Sequence, residues 1–238
     1  MASRKEQKER LRAERIAQEE AERREATRRR RLQIGAAAAA VVIIAAVVAV
    51  VAASSGGGGG SSSSGITYHQ DSVPASAQLA LLDTPPPWQP DYKQLPQRIQ
   101  AMGLPGFSET TFHIHSWLHI YVDGKQVTVP PNIGIDQATQ TISPLHTHDT
   151  TGIIHMEADQ QYDFTLGQFM NVWGVKFAAD QIGSLKPKGD QKLQVYVDGQ
   201  LIKDPVNVVM QEHDNIVIGY GKSGSFPTEP KLDWPQGL

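Results

Sequence analysis

The 238-residue chain contains no cysteine. Disulfides, thiolate catalysis, iron–sulfur clusters and cysteine-type zinc sites are therefore excluded. Arginine is missing after Arg98, which removes the usual anchor for an oxo-acid cosubstrate. The C-terminal portion is also short of positive charge, with 10 Lys/Arg against 18 Asp/Glu in residues 66–238. Nucleic-acid binding needs a basic footprint, so no nucleic-acid partner is expected. Several catalytic signatures are missing too. There is no His-Glu-x-x-His and no Gly-x-Ser-x-Gly, and Gly221-Lys222-Ser223 lacks the upstream glycines of a Walker loop.

What is present falls into distinct stretches. Residues 1–33 hold 12 Lys/Arg against 7 Asp/Glu, with pairs such as Glu6–Arg10 and Glu19–Arg23 spaced for surface ion pairs on a helix. This predicts a solvated, charged cytoplasmic helix. Arg28 to Arg31 then abut twenty uncharged residues, 34–53. As a helix these span about 30 Å, the hydrocarbon thickness of a bilayer. Four arginines before the run and none directly after it predict a single-pass transmembrane helix with its N-terminus in the cytoplasm. A cleaved signal peptide is the competing reading, but both the charged region and the apolar run are longer than usual for one. The Gly/Ser segment 54–65 cannot pack, and predicts a flexible tether with a reach of about 20 Å.

Residues 66–106 carry seven of the fifteen prolines. They predict an extended arm strapped over the domain by Leu79, Leu81, Leu82 and Trp88. Residues 107–226 read as a strand-rich α+β domain with two β-hairpins and one main helix. FHIHSWLHIYVDG (112–124) alternates strictly and turns at Asp123-Gly124, and LQVYVDGQLI (193–202) turns at Asp198-Gly199. FTLGQFMNVWG (164–174) has apolar residues at helical spacing between a Thr165 cap and Gly174. Residues 152–158 and 216–221 predict further strands, and 227–238 an extended tail. The segments 119–135 and 194–210 align without gaps, sharing Tyr, Val, Asp, Gly, Pro and Asn. Duplication and common turn chemistry explain this equally well. Only the first copy is surrounded by histidines.

Six of the eight histidines lie between residues 113 and 155. They are arranged as His113-x-His115-x-x-x-His119, His146-x-His148-Asp149 and His155-x-Glu157. Strand residues two apart share a face, so His113, His115, Trp117, His119 and Tyr121 face one way, and Phe112, Ile114, Leu118, Ile120 and Val122 the other. Neutral imidazole is the commonest transition-metal ligand, and unpaired imidazoles on an inner face would cost about 1–3 kcal/mol each. The expected ligands are His113, His115, His146, His148, His155 and Glu157, with Asp149 behind them to accept a ligand N–H and fix its tautomer. His119 lies about 13 Å beyond His115 and is not expected to share an ion. His69 and His213 read as surface residues. Imidazoles without thiolate favour copper or zinc, with iron as a further candidate.

At the run SPLHTHDTTGIIHME, with HIHSWLHIYVDG before it and FTLGQFMNVWG after it, the chain resembles uncharacterised bacterial proteins. These are largely actinobacterial, membrane-anchored proteins carrying HxH, HTHD and HxE motifs. The resemblance covers about residues 107–221 and implies an extracytoplasmic placement and a candidate metal site, but no established reaction. Three functions remain open from the sequence. One is a membrane-anchored protein that holds or delivers copper or zinc. Another is a metal-dependent enzyme with an open coordination position and Glu157 or Asp149 as general base. The third is an accessory subunit meeting a membrane-protein partner through the N-terminal helix or the Pro-rich arm.

Overall fold

A computed structural model describes residues 65–106, 108 and 110–235. The charged segment 1–33, the apolar run 34–53 and residues 54–64 lie outside the described residues. Among the described residues no helix is long and apolar enough to cross a membrane.

The alternation of FHIHSWLHIYV makes the longest strand, β1 (Phe112–Val122). It turns through Asp123 and Gly124, both at positive φ, into β2 (Lys125–Val127). Positive φ at both central residues is the type I′ geometry that suits the twist of a hairpin. The same turn, at Asp198 and Gly199, joins β9 (Gln191–Val197) to β10 (Gln200–Leu201). Between the hairpins in space runs β11 (Asn215–Lys222), parallel to β1 and antiparallel to β9. On the other side of β1 come β6 (Ile153–Ala158) and then β5 (Leu145–His146), both pairings antiparallel. The sheet order is β10-β9-β11-β1-β6-β5, with β2 also on β1. The short pairs β3 (Ile135–Asp136) with β4 (Thr141–Ile142) and β7 (Phe177–Ala178) with β8 (Gln181–Ile182) stand apart from it.

One face of this sheet is core. Leu118, Ile120, Ile154, Met156, Ile216 and Ile218 are buried there with Phe169, Met170 and Trp173 of the main helix, α2 (Leu166–Trp173). That helix begins with a reciprocal capping box between Thr165 and Gln168 and ends at Gly174 in the left-handed conformation, as the sequence predicts. The opposite face carries the histidines of β1.

The arm differs from its expected extended form. It contains a 3-10 turn (Ala75–Ala77) and a helix, α1 (Leu95–Ala101), with proline in its first turn. Of the expected anchors, Trp88 is buried in the core and Leu82 packs half-buried against it, Leu79 and Leu81 are half-buried, and Leu95 joins Trp88 in the core. Arg98, fully buried, donates to the backbone oxygens of Leu79 and Asp91 and pairs with the Asp91 carboxylate at 3.4 Å. The described part of the tail also does more than extend. Just before it, Phe226 stacks on Tyr121 and covers Gly219, and within it Trp234 packs edge-on against Trp117. The tail thus lies on the histidine-bearing face of the sheet.

Trp88 is 1% exposed and meets Trp173 edge to face. Trp88→Ala is expected to cost about 3–5 kcal/mol of stability, measured by denaturant unfolding. A cost under about 1 kcal/mol would show that the arm is dispensable to the core.

Candidate metal centre

The strand register builds the site. His115 of β1 pairs with His155 of β6, and His155 pairs with His146 of β5. The three imidazoles form one row across three strands. The next row on the same face is His113 opposite Glu157. Directly opposed residues in antiparallel strands have Cβ atoms about 4.5–5.5 Å apart, within reach of a common ion for side chains as long as histidine.

The β5 end is fixed from below by Thr147. Its hydroxyl donates to the Pro130 carbonyl at 2.9 Å and accepts from the Ile133 amide at 3.1 Å. With Thr147 turned inward and fully buried, its neighbours His146 and His148 are presented together. Gly134 lets this loop close, because a Cβ there would lie 2.4 Å from the Leu145 carbonyl oxygen. His146 Nδ1 donates to the Ser143 carbonyl at 2.9 Å. That bond fixes the tautomer, with the proton on Nδ1 and the lone pair on Nε2, the arrangement a ligating histidine needs.

The expected ligands lie near one another without meeting at one point. His113 Nε2 lies 3.3 Å from His155 Nδ1 and 3.3 Å from Glu157 Oε1, and His146 Nε2 lies 3.9 Å from the same Glu157 oxygen. Around a tetrahedral ion with bonds of about 2.0–2.1 Å, two donors sit about 3.3–3.4 Å apart, so the spacing at His113 matches. The donor atoms fall into two triads, His113–His115–His155 and His146–His148–His155, each with its atoms within 4.8 Å of one another. His115 Nε2 is buried and has no hydrogen-bond partner. Such an orphaned nitrogen is costly unless something binds it.

Asp149 has a different role from the one expected. Its Oδ1 accepts from the Thr151 amide at 2.9 Å and from the Thr151 hydroxyl at 2.5 Å. These bonds hold its carboxyl below the usual range, with His155 and His148 adding a smaller effect in the same direction. The Ser143 carbonyl does for His146 what Asp149 was expected to do for a ligand. His119 stays apart from the cluster, buried beneath Trp117 and 3.4 Å from Gln126 Nε2. His69 is half-buried and meets the Asp163 carbonyl at 3.1 Å.

One group was not foreseen from the sequence. Glu212 Oε2 accepts from the His115 amide at 3.2 Å, while its Oε1 lies 3.8 Å from His115 Nδ1 and 2.9 Å from His213 Nε2. The His213 amide donates to the His115 carbonyl at 2.6 Å. The available signal was topological. Because β11 runs parallel to β1, the Glu-His-Asp preceding it lies beside the first half of β1.

Burial pushes the His155 imidazole down to about 3, with the surrounding histidines adding to the effect. It pushes His146 down to about 4, against opposing effects from the Ser143 hydrogen bond and Glu157. His115 is lowered too, mainly by burial. These rings are therefore neutral near pH 7, the state in which imidazole binds metal.

In the unfolded chain both rings titrate near 6.5. Between that value and 3–4 the unfolded state binds more protons. Their contribution to stability is thus complete above about pH 6.5 and is lost as pH falls toward 4 and 3. Asp214, pushed up to about 7 by burial, works the other way, favouring the fold at low pH and losing that effect as pH rises through 7. The useful readout is therefore a difference between proteins. Between pH 7 and pH 4, the melting temperature of the metal-free protein should fall by at least about 2 °C more than that of His155→Gln. Equal pH dependence would show that His155 is not held neutral by the fold. The chain matches no protein-family model, no curated protein and no solved structure with which it was compared.

Proposed function

We propose that this chain is a membrane-anchored, extracytoplasmic protein that binds a transition metal through His113, His115, His146, His148, His155 and Glu157. Copper or zinc is the preferred ion and iron the next, because the donor set is imidazole and carboxylate without thiolate. The observation that carries this reading is the row His115–His155–His146, with the buried His115 Nε2 lacking any hydrogen-bond partner. The proposed role is to hold or deliver the ion outside the cytoplasm. Access at the rim supports it, since His113 and His148 are exposed while His115 and His146 are buried. An ion could then exchange at the exposed ligands while remaining anchored by the buried ones. The placement outside the cytoplasm rests on the uncharged run 34–53 and the arginines that precede it.

A metal-dependent hydrolytic role is the second reading. Three imidazoles leave a tetrahedral ion one open position for water, and Glu157 stands within 3.3 Å of His113 as a candidate general base.

The test is elemental analysis of the full chain, purified without chelator. Bound copper, zinc or iron is expected, with affinity lowered at least about tenfold in His155→Ala. A folded protein that carries no metal and takes up no added Cu²⁺, Zn²⁺ or Fe²⁺ would overturn the proposal.

A further inference from the structure

The ligand cluster is larger than one ion needs. Around a single ion with bonds of about 2.1 Å, no two donors can be more than about 4.2 Å apart, the trans separation. The five imidazoles do not close around one such point. They form two triads, His113–His115–His155 and His146–His148–His155, that meet only in His155. The triads are built alike. Each has one buried ring, His115 or His146, one exposed ring, His113 or His148, and the common ring between them. Glu157 reaches toward both, with Oε1 3.3 Å from His113 Nε2 and 3.9 Å from His146 Nε2.

From this arrangement we infer that the centre is dinuclear, one transition-metal ion on each triad, with His155 as the shared ligand and Glu157 between them. The inference rests on the metal-binding reading above and adds its stoichiometry and bridge. An imidazole ligates two ions by giving one ring nitrogen to each. Binding the second ion therefore displaces the remaining ring N–H proton to solvent, and His155 becomes an imidazolate. His155 Nδ1 already faces the His113 side at 3.3 Å. Nearby carboxylates offset the added positive charge. Glu157 lies between the triads, Glu212 lies 3.8 Å from His115 Nδ1, and Asp149 interacts electrostatically with His148 and His155. Metal pairs joined by protein ligands commonly clamp one substrate oxygen between them or share electrons, which a lone ion cannot do.

The test uses Cu²⁺ alone, titrated into the metal-free full chain and followed by native mass spectrometry and electron paramagnetic resonance. Saturation at about two equivalents is expected, with the second accompanied by release of about one extra proton and by loss of isolated-copper signal through magnetic coupling. His113→Ala/His115→Ala and His146→Ala/His148→Ala should each bind about one equivalent with an isolated-copper spectrum. Near-ultraviolet circular dichroism checks that both variants fold, and the wild-type stoichiometry stands without them. Saturation of the wild type at one equivalent with an uncoupled signal would overturn the dinuclear centre and leave the metal-binding reading intact. No uptake at all would overturn both.

Discussion

The site depends on the register among β1, β6 and β5. Pairing His115 with His155 and His155 with His146 puts three imidazoles in one row. Because side chains alternate with a period of two, a slip of one residue would send the histidines into the core and the core residues to the site. The apolar partners of the same strands guard against that slip. Ile114 opposes Met156, and Leu145 opposes Met156 from the other side. Met156 is fully buried, so the register that fills the core also assembles the histidine row. Gly152 sets the start of β6 at positive φ, where a Cβ would lie 2.3 Å from the Leu118 carbonyl oxygen.

Around this constraint the two faces divide the work. The inner face is closed by α2, by Trp88 and Leu95 of the arm, and by the buried Arg98 that ties the arm's turns together. The outer face is polar at the β5 end and aromatic toward β11, where Trp234 and Phe226 lie over Trp117 and Tyr121. Trp234 also packs against His213, whose Nε2 meets Glu212. The tail therefore borders the histidine cluster through Glu212 rather than covering it. His113 and His148 stay exposed, while burial keeps the His115, His146 and His155 rings neutral.

Much of this was legible locally. The two Asp-Gly turns, the capped helix 166–173 and the alternation of β1 are short-range patterns, and each appears where the residues predict it. That His113 and His115 share one face was readable from their spacing, because His-x-His on a strand puts both rings on one side. Interactions across long sequence separations were not legible. Nothing in residues 211–222 announces that β11 will insert between the hairpins and run parallel to β1, so Glu212 was missed. The arm's helix is only seven residues long with proline in its first turn, and it holds its place through tertiary contacts of Leu95 and Arg98. For Asp149, local turn chemistry with Thr151 outweighed the longer-range bond to a ligand that its sequence position suggested.

Zinc-edge X-ray absorption on the full chain after addition of Zn²⁺ tests the central claim most directly. The account predicts a nearest shell of nitrogen and oxygen at about 2.0–2.1 Å, followed by the outer-shell scattering of several imidazole rings. A shell of light atoms without imidazole scattering would place the metal elsewhere on the protein and contradict it.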